Sequence, residues 1–212
     1  MKALIIGATG ATGKDLVDVL LEDPDYQEVV TFVRRPSGRT HRKLLEIVTD
    51  FDALEEKLDR IQGDVWFSCL GTTMKAAGSK ERQWHIDYEI PAKFAEIARR
   101  NGVSTAVVVS AYGAAASSKV FYSSLKGKLD DEVARLAFEK CFIFRPGMLL
   151  RKDTDRFGER IIAPVLKFLN GLGIARNFRP LPTRSLAEKL AKAPKVFTSG
   201  KHIVELDEIF RL

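Results

Sequence analysis

Among 212 residues there are only two cysteines, Cys69 and Cys141, and three histidines. Two cysteines make no disulfide framework, and the scattered histidines give no zinc-ligand spacing, so a metal centre is not expected. No apolar run approaches the roughly 20 residues needed to span a bilayer, which leaves no membrane association to expect. The N-terminus opens on a short apolar stretch, Ala3 to Ile6, without the apolar core and cleavage site of a signal peptide. A reducing, cytoplasmic setting is the default expectation. Internal repeats and low-complexity segments are also missing.

What is present is the composition of an ordinary globular protein, 45% hydrophobic and 29% charged. The length suits one domain with a sizeable core. The net charge of +6 is uneven. Residues 1–150 are neutral, with 21 Lys/Arg against 21 Asp/Glu, and residues 151–212 carry the excess, 13 against 7. Such a basic third attracts anionic partners in principle. No nucleic-acid motif accompanies it, and aromatic residues are not interleaved with it as base stacking requires, so nucleic acid is not an expected partner.

Short apolar runs at 2–6, 28–33, 45–48, 64–69, 104–109 and 141–145 alternate with helical patterns at about 12–22, 52–60, 80–101 and 120–138. Alternation of this kind is the signature of βαβ units and a parallel sheet. The strand candidates are rich in Val, Ile and Phe and apolar on both faces, as buried parallel strands are. Further helices are expected at 158–170 and 184–193, a loop at 171–183, and a short strand at 202–206. The expected fold is α/β: a doubly wound, parallel-sheet Rossmann domain spanning 1–212, with its core in 1–150 and a small C-terminal cap in 151–212.

Gly7, Gly10 and Gly13 lie between the first strand and the first helix, in Gly7-Ala-Thr-Gly10-Ala-Thr-Gly13. A dinucleotide pyrophosphate needs backbone N–H groups, the positive end of a helix, and no Cβ atoms in the way. With a strand before and a helix after, the loop predicts a dinucleotide site on Gly7, Thr9, Gly10, Ala11, Thr12 and Gly13. At the end of the second strand, an NAD-binding protein usually carries an acid for the ribose hydroxyls. Here stand Arg34 and Arg35. A guanidinium suits a 2′-phosphate, so the expected cofactor is NADP(H).

Tyr122 and Lys126 are four apart on a predicted helix and share a face. That helix follows a strand ending at Ser110, at the carboxyl edge where open α/β sheets place ligands. Reduction of a carbonyl needs a proton donor, which a tyrosine supplies as a general acid. A neighbouring ammonium favours the phenolate, and a serine hydroxyl can hold the substrate oxygen. Tyr122, Lys126 and Ser110 are therefore the candidate catalytic group, the alternative being a packed ring beside a surface lysine.

Together, Gly7–Gly13, Phe67–Thr73, Val107–Gly113, Phe121–Gly127 and Phe144–Leu150 carry a resemblance. The chain resembles an atypical short-chain dehydrogenase/reductase, of the kind found in the Tat-interacting-protein oxidoreductase group and its small bacterial relatives. The resemblance implies that Leu70, Gly71 and Thr72 line the ribose and phosphate side and that Asp50 and Phe51 lie near the adenine. Arg145, Pro146 and Gly147 would stand at the nicotinamide end, and Lys126 would also hold the nicotinamide ribose. Ser110 stands twelve residues before Tyr122, where the classical members have thirteen, and Ser117 and Ser118 lie close by.

Two functions are weighed. One is an NADPH-dependent oxidoreductase acting on a small carbonyl substrate, since few residues remain to build a substrate domain. The other is an NADP(H)-binding redox sensor without turnover, whose C-terminal third meets a protein partner or a second copy. For that role, Ile161, Ile162, Val165, Leu166 and Leu169 would form an apolar stripe. A flavin-type reductase would dispense with the tyrosine–lysine pair, and a sugar-nucleotide epimerase would need a larger substrate domain.

Overall fold

The computed structural model describes residues 1–150 and 179–212. Elements are numbered over these residues. Seven parallel strands form one sheet: β1 (Lys2–Ile6), β2 (Glu28–Val33), β3 (Leu44–Val48), β4 (Val65–Ser68), β5 (Thr105–Val109), β6 (Lys140–Arg145) and β9 (Gly200–Glu205). Their order is β3-β2-β1-β4-β5-β6-β9, so the chain reverses direction across the sheet between β1 and β4. A two-residue pair, β7 (Leu149–Leu150) with β8 (Leu181–Pro182), stands apart from it. This is the doubly wound Rossmann arrangement, and the six strand candidates of residues 1–150 match β1–β6 to within one residue at each end.

Strand residues divide between two cores because successive side chains point to opposite faces. On one face Ala3 and Ile5 pack with Leu16, Val17 and Leu20 of α1 (Ala11–Glu22) and with Leu186, Ala187 and Leu190 of α6 (Thr183–Val196). On the other, Leu4 and Ile6 pack with Phe94 and Ala98 of α4 (Ile90–Arg100) and with Leu129 and Val133 of α5 (Phe121–Arg135). The strands are buried on both sides, which is why they carry apolar runs rather than alternation. Residues 179–212 add to the same layers: α6 lies against α1, β9 extends the sheet beside β6, and α7 (Asp207–Arg211) follows.

Several elements differ from the sequence expectation. Residues Phe51–Arg60 form 3-10 turns broken at Ala53 and Lys57 rather than a regular helix. The segment expected as one helix over 80–101 is α3 (Lys80–Trp84), a π-helical turn His85–Glu89, and α4. Pro91, in the first turn of α4, has no N–H to offer the preceding turn, and the Ile90 N–H reaches back five residues to the His85 carbonyl. A short helix, α2 (Met74–Ala77), was not anticipated; the Thr73 hydroxyl caps it by accepting from the Ala76 N–H at 3.1 Å. Helix α5 stops at Arg135, short of the expected 138, and Ala137 turns to a φ of +52°. The expected helix over 158–170, its apolar stripe and most of the 171–183 loop lie outside the described residues; within that loop Leu181–Pro182 forms β8 and Thr183 opens α6.

Candidate functional site

The site sits at the carboxyl ends of β1, β4 and β5. Gly7 leaves β1 at a φ of +79°, a conformation L side chains rarely adopt. A Cβ there would meet the backbone of Cys69 at 2.4 Å, because the chain leaving β4 passes directly over the loop. The Gly10 N–H bonds back to the Gly7 carbonyl at 3.0 Å and closes the turn. Gly10 then caps α1 without a side-chain bond, leaving the first-turn amides of α1 for an anion. At Gly13 a Cβ would fall 2.0 Å from the Gly7 oxygen, so the helix can approach the turn only as glycine.

Across β4, the loop Cys69–Thr73 is held from below by Asp87 on the π-helical turn. Asp87 is fully buried, and its Oδ1 accepts from the Thr72 N–H at 2.7 Å. Gln83 donates to the Thr72 carbonyl at 3.3 Å. Burial pushes the Asp87 carboxyl up, against the pull of Lys126 and the Thr72 N–H. Burial also pushes the Cys69 thiol up to about 12, so it remains a thiol at neutral pH.

From β5 the chain turns through Ser110 and enters α5, where Tyr122, Lys126 and Asp130 recur every fourth residue. The helix presses closely on the connecting loop: a Cβ at Gly127 would stand 2.2 Å from the Ala115 backbone, and Ser124 donates to the Ala116 carbonyl at 3.0 Å. Lys126 is buried and makes no hydrogen bond or ion pair among the described residues, while Tyr122 remains 40% exposed. Ser110 is buried, and its hydroxyl donates to Asp130 at 2.9 Å.

A cavity of about 570 Å³ joins these parts. Its walls include Gly10, Ala11 and Thr12 from the glycine loop, Leu70, Gly71 and Thr72 after β4, and Ser110, Tyr122 and Lys126. A larger recess of about 690 Å³ lies at the β9 edge of the sheet and takes no residue from these loops.

The other sequence candidates stand elsewhere. Arg34 and Arg35 are exposed beyond β2 and form no ion pair among the described residues. A second cavity, about 380 Å³, adjoins the glycine loop at Ala8 and Thr9 and is lined by Lys14, Ser37 and Arg39, with Arg39 paired to Asp18. Asp50 is exposed and accepts from the Asp52 N–H, and Phe51 is half-buried beside His85 and Lys93. The Arg145 guanidinium, expected at the nicotinamide end, is held by Asp130 and Glu205, each at 2.9 Å. Pro146 is buried with its carbonyl on the Tyr112 N–H, and Gly147 is exposed, with Leu206 3.1 Å from where a Cβ would stand. Lys14, Arg39, Gln83, Asp87 and Asp130 were missed by the sequence reading, because a polar residue inside an amphipathic helix or loop carries no spacing signal of its own.

Among the described residues no helix is long and apolar enough to cross a membrane. The family model described as NAD(P)H-binding matches residues 7–167. Protein FMP52, mitochondrial, of Candida albicans is 33% identical over 188 residues, covering 85% of this chain and 82% of that protein. Protein HTATIP2 of Rattus norvegicus is 35% identical over 160 residues, 73% of this chain and 66% of that protein. A solved short-chain dehydrogenase/reductase superfamily protein from Agrobacterium tumefaciens with bound NAD superposes with a TM-score of 0.72 at 17% identity, covering 97% of this chain and 77% of that one, a likeness of fold. The cytoplasmic setting expected from the sequence is overturned by the fungal relatives, which at 31–38% identity are named mitochondrial. Two free cysteines suit a reducing interior, and more than one compartment has that.

Proposed function

The chain belongs to the NAD(P)H-binding family, among the atypical short-chain dehydrogenase/reductases, and from that premise we propose that it is an NADPH-dependent reductase of a small carbonyl compound. The observation that carries this reading is the shared cavity: Ser110, Tyr122 and Lys126 line the same space as Gly10–Thr12 and Leu70–Thr72. The fit of a dinucleotide rests on the cradle itself, where Cβ atoms at Gly7 and Gly13 would strike backbone.

When bound, the dinucleotide supplies a hydride to the carbonyl carbon. The residues do the rest. First-turn amides of α1 would hold the pyrophosphate. Tyr122 gives its hydroxyl proton to the carbonyl oxygen, so that a C–H and an O–H bond form as the C=O π bond is lost. Lys126, one turn on along α5, would hold the nicotinamide ribose, and solvent returns the proton to Tyr122, which is 40% exposed. The 2′-phosphate that sets NADPH apart from NADH would meet Arg34 and Arg35, exposed beyond β2, while Lys14 and Arg39 line the cavity beside the glycine loop.

Tyr122→Phe is the test. With methylglyoxal and phenanthrenequinone as substrates, the variant should lose about 100-fold or more in kcat, the usual worth of a general acid, while fluorescence titration shows NADPH binding unchanged. Equal turnover in the variant overturns the reading. Tight NADPH binding with no turnover of a wide carbonyl panel would favour the sensor instead.

A further inference from the structure

Asp130 holds the Ser110 hydroxyl of the candidate catalytic group yet has no part in the reaction as described. It lies one turn beyond Lys126 on α5 and is 2% exposed. Its Oδ2 takes the Ser110 hydroxyl and the Arg145 Nε, each at 2.9 Å. Its Oδ1 is buried with no hydrogen-bond partner among the described residues. Arg145 is steadied from its other side by Glu205 on β9 at 2.9 Å. The carboxylate is thus fixed in place by β5, β6 and, through Arg145, β9.

A serine hydroxyl has one hydrogen, and an ionised carboxylate only accepts. While Asp130 is ionised, the Ser110 hydrogen is committed to it, and the cavity meets only the serine lone pairs. A carbonyl oxygen is itself an acceptor and gains nothing there. An alcohol hydroxyl does.

We propose that Asp130 is a positioning residue that decides whether Ser110 offers the cavity a lone pair or a hydrogen. The proposal rests on the reading that Ser110 faces the substrate. When Asp130 takes a proton from solvent, its own O–H donates to Ser110 Oγ, and the serine hydrogen turns to the cavity, where it fits a carbonyl oxygen. Reduction is favoured by neutral Asp130 and alcohol oxidation by ionised Asp130, with no net change in protons at Ser110. The groups facing Asp130 are Ser110 after β5, Lys126 on its own helix, and Arg145 and Cys141 on β6; Asp87 faces Lys126 from the π-helical turn. Burial pushes the Asp130 carboxyl up, and Ser110, Arg145 and Lys126 draw it back only in part.

Two readouts on the full chain test this. The first needs no turnover: carboxyl carbon-13 NMR of aspartate-labelled protein, with Asp130→Asn assigning the resonance. Ser110→Ala removes one donor from the carboxylate, so the Asp130 titration should move to higher pH, and an unmoved titration overturns the proposal whether or not the reductase reading stands. The second compares methylglyoxal reduction with acetol oxidation by NADP. Asn is neutral like the protonated acid, and its Nδ2 in the place of Oδ2 donates to Ser110, at the cost of the bond that the same oxygen accepts from the Arg145 Nε. Asp130→Asn should therefore raise the ratio of reductive to oxidative kcat by about tenfold, remove the pH limb of that ratio, and leave NADPH affinity unchanged. Parallel losses in both directions with the limb retained would make Asp130 merely structural. A protein that turns over neither compound sinks the reductase reading while the titration still decides the pairing.

Discussion

The Cβ that an alanine at position 13 would carry falls 2.0 Å from the carbonyl oxygen of Gly7. Both atoms belong to backbone, so no rotamer change relieves the overlap. Gly13→Ala should destabilise the protein by about 2 kcal/mol even without cofactor, seen as a lower thermal midpoint. Gly10→Ala meets its nearest neighbour, the same oxygen, at 3.3 Å and should cost far less. Equal midpoints for the two variants would contradict the geometry of the turn.

Arg34 and Arg35 follow β2 as exposed cations without ion pairs among the described residues. If they meet a 2′-phosphate, replacing both by serine should weaken NADPH about tenfold, near 1.4 kcal/mol, and leave NADH unchanged. Fluorescence titration with each nucleotide separates the outcomes. An equal loss for both, or none, assigns the preference instead to the Lys14 and Arg39 side of the loop.

Tyr26 is fully buried, and its hydroxyl donates to the Ala191 carbonyl at 2.9 Å, tying the β1–β2 connection to α6. Tyr26→Phe keeps the ring packing and removes the hydrogen bond to α6. A loss of about 1 kcal/mol is expected in denaturant unfolding, with no effect on nucleotide binding.

His85 bridges two elements, with Nε2 on Asp52 at 2.7 Å and Nδ1 on Glu89 at 2.8 Å. The Glu89 hydrogen bond, aided by Asp52, holds its imidazole above the ordinary 6.5 despite partial burial. A raised folded-state value means that the protonated ring stabilises the fold. That contribution is complete below 6.5 and fades as pH rises through the raised value. Thermal midpoints should fall across this window in the wild type and less so in His85→Gln.

The order of strands and helices was legible because each apolar run on both sheet faces leaves a run in the sequence, and Gly7, Gly10 and Gly13 announce a turn where no other residue fits. Tyr122 and Lys126 were legible for a similar reason, a four-residue step that puts both on one helical face. The π-helical turn was harder, since Pro91 reads equally well as an ordinary first-turn proline, and only the Ile90 N–H on the His85 carbonyl reveals the changed register. Asp87 and Asp130 were invisible: Asp130, four residues past Lys126, looks like half of a surface pair until burial removes the solvent, and Asp87 stands four past Gln83 with no charge beside it to mark it. Sequence determined the elements and the loop chemistry, because those follow from local periodicity and steric need. Tertiary structure alone decided that Ser110 spends its hydrogen on Asp130 and that Arg145 faces inward to Asp130 and Glu205. Those partners lie 15 to 60 residues apart along the chain and meet only when β5, β6 and β9 align in one sheet.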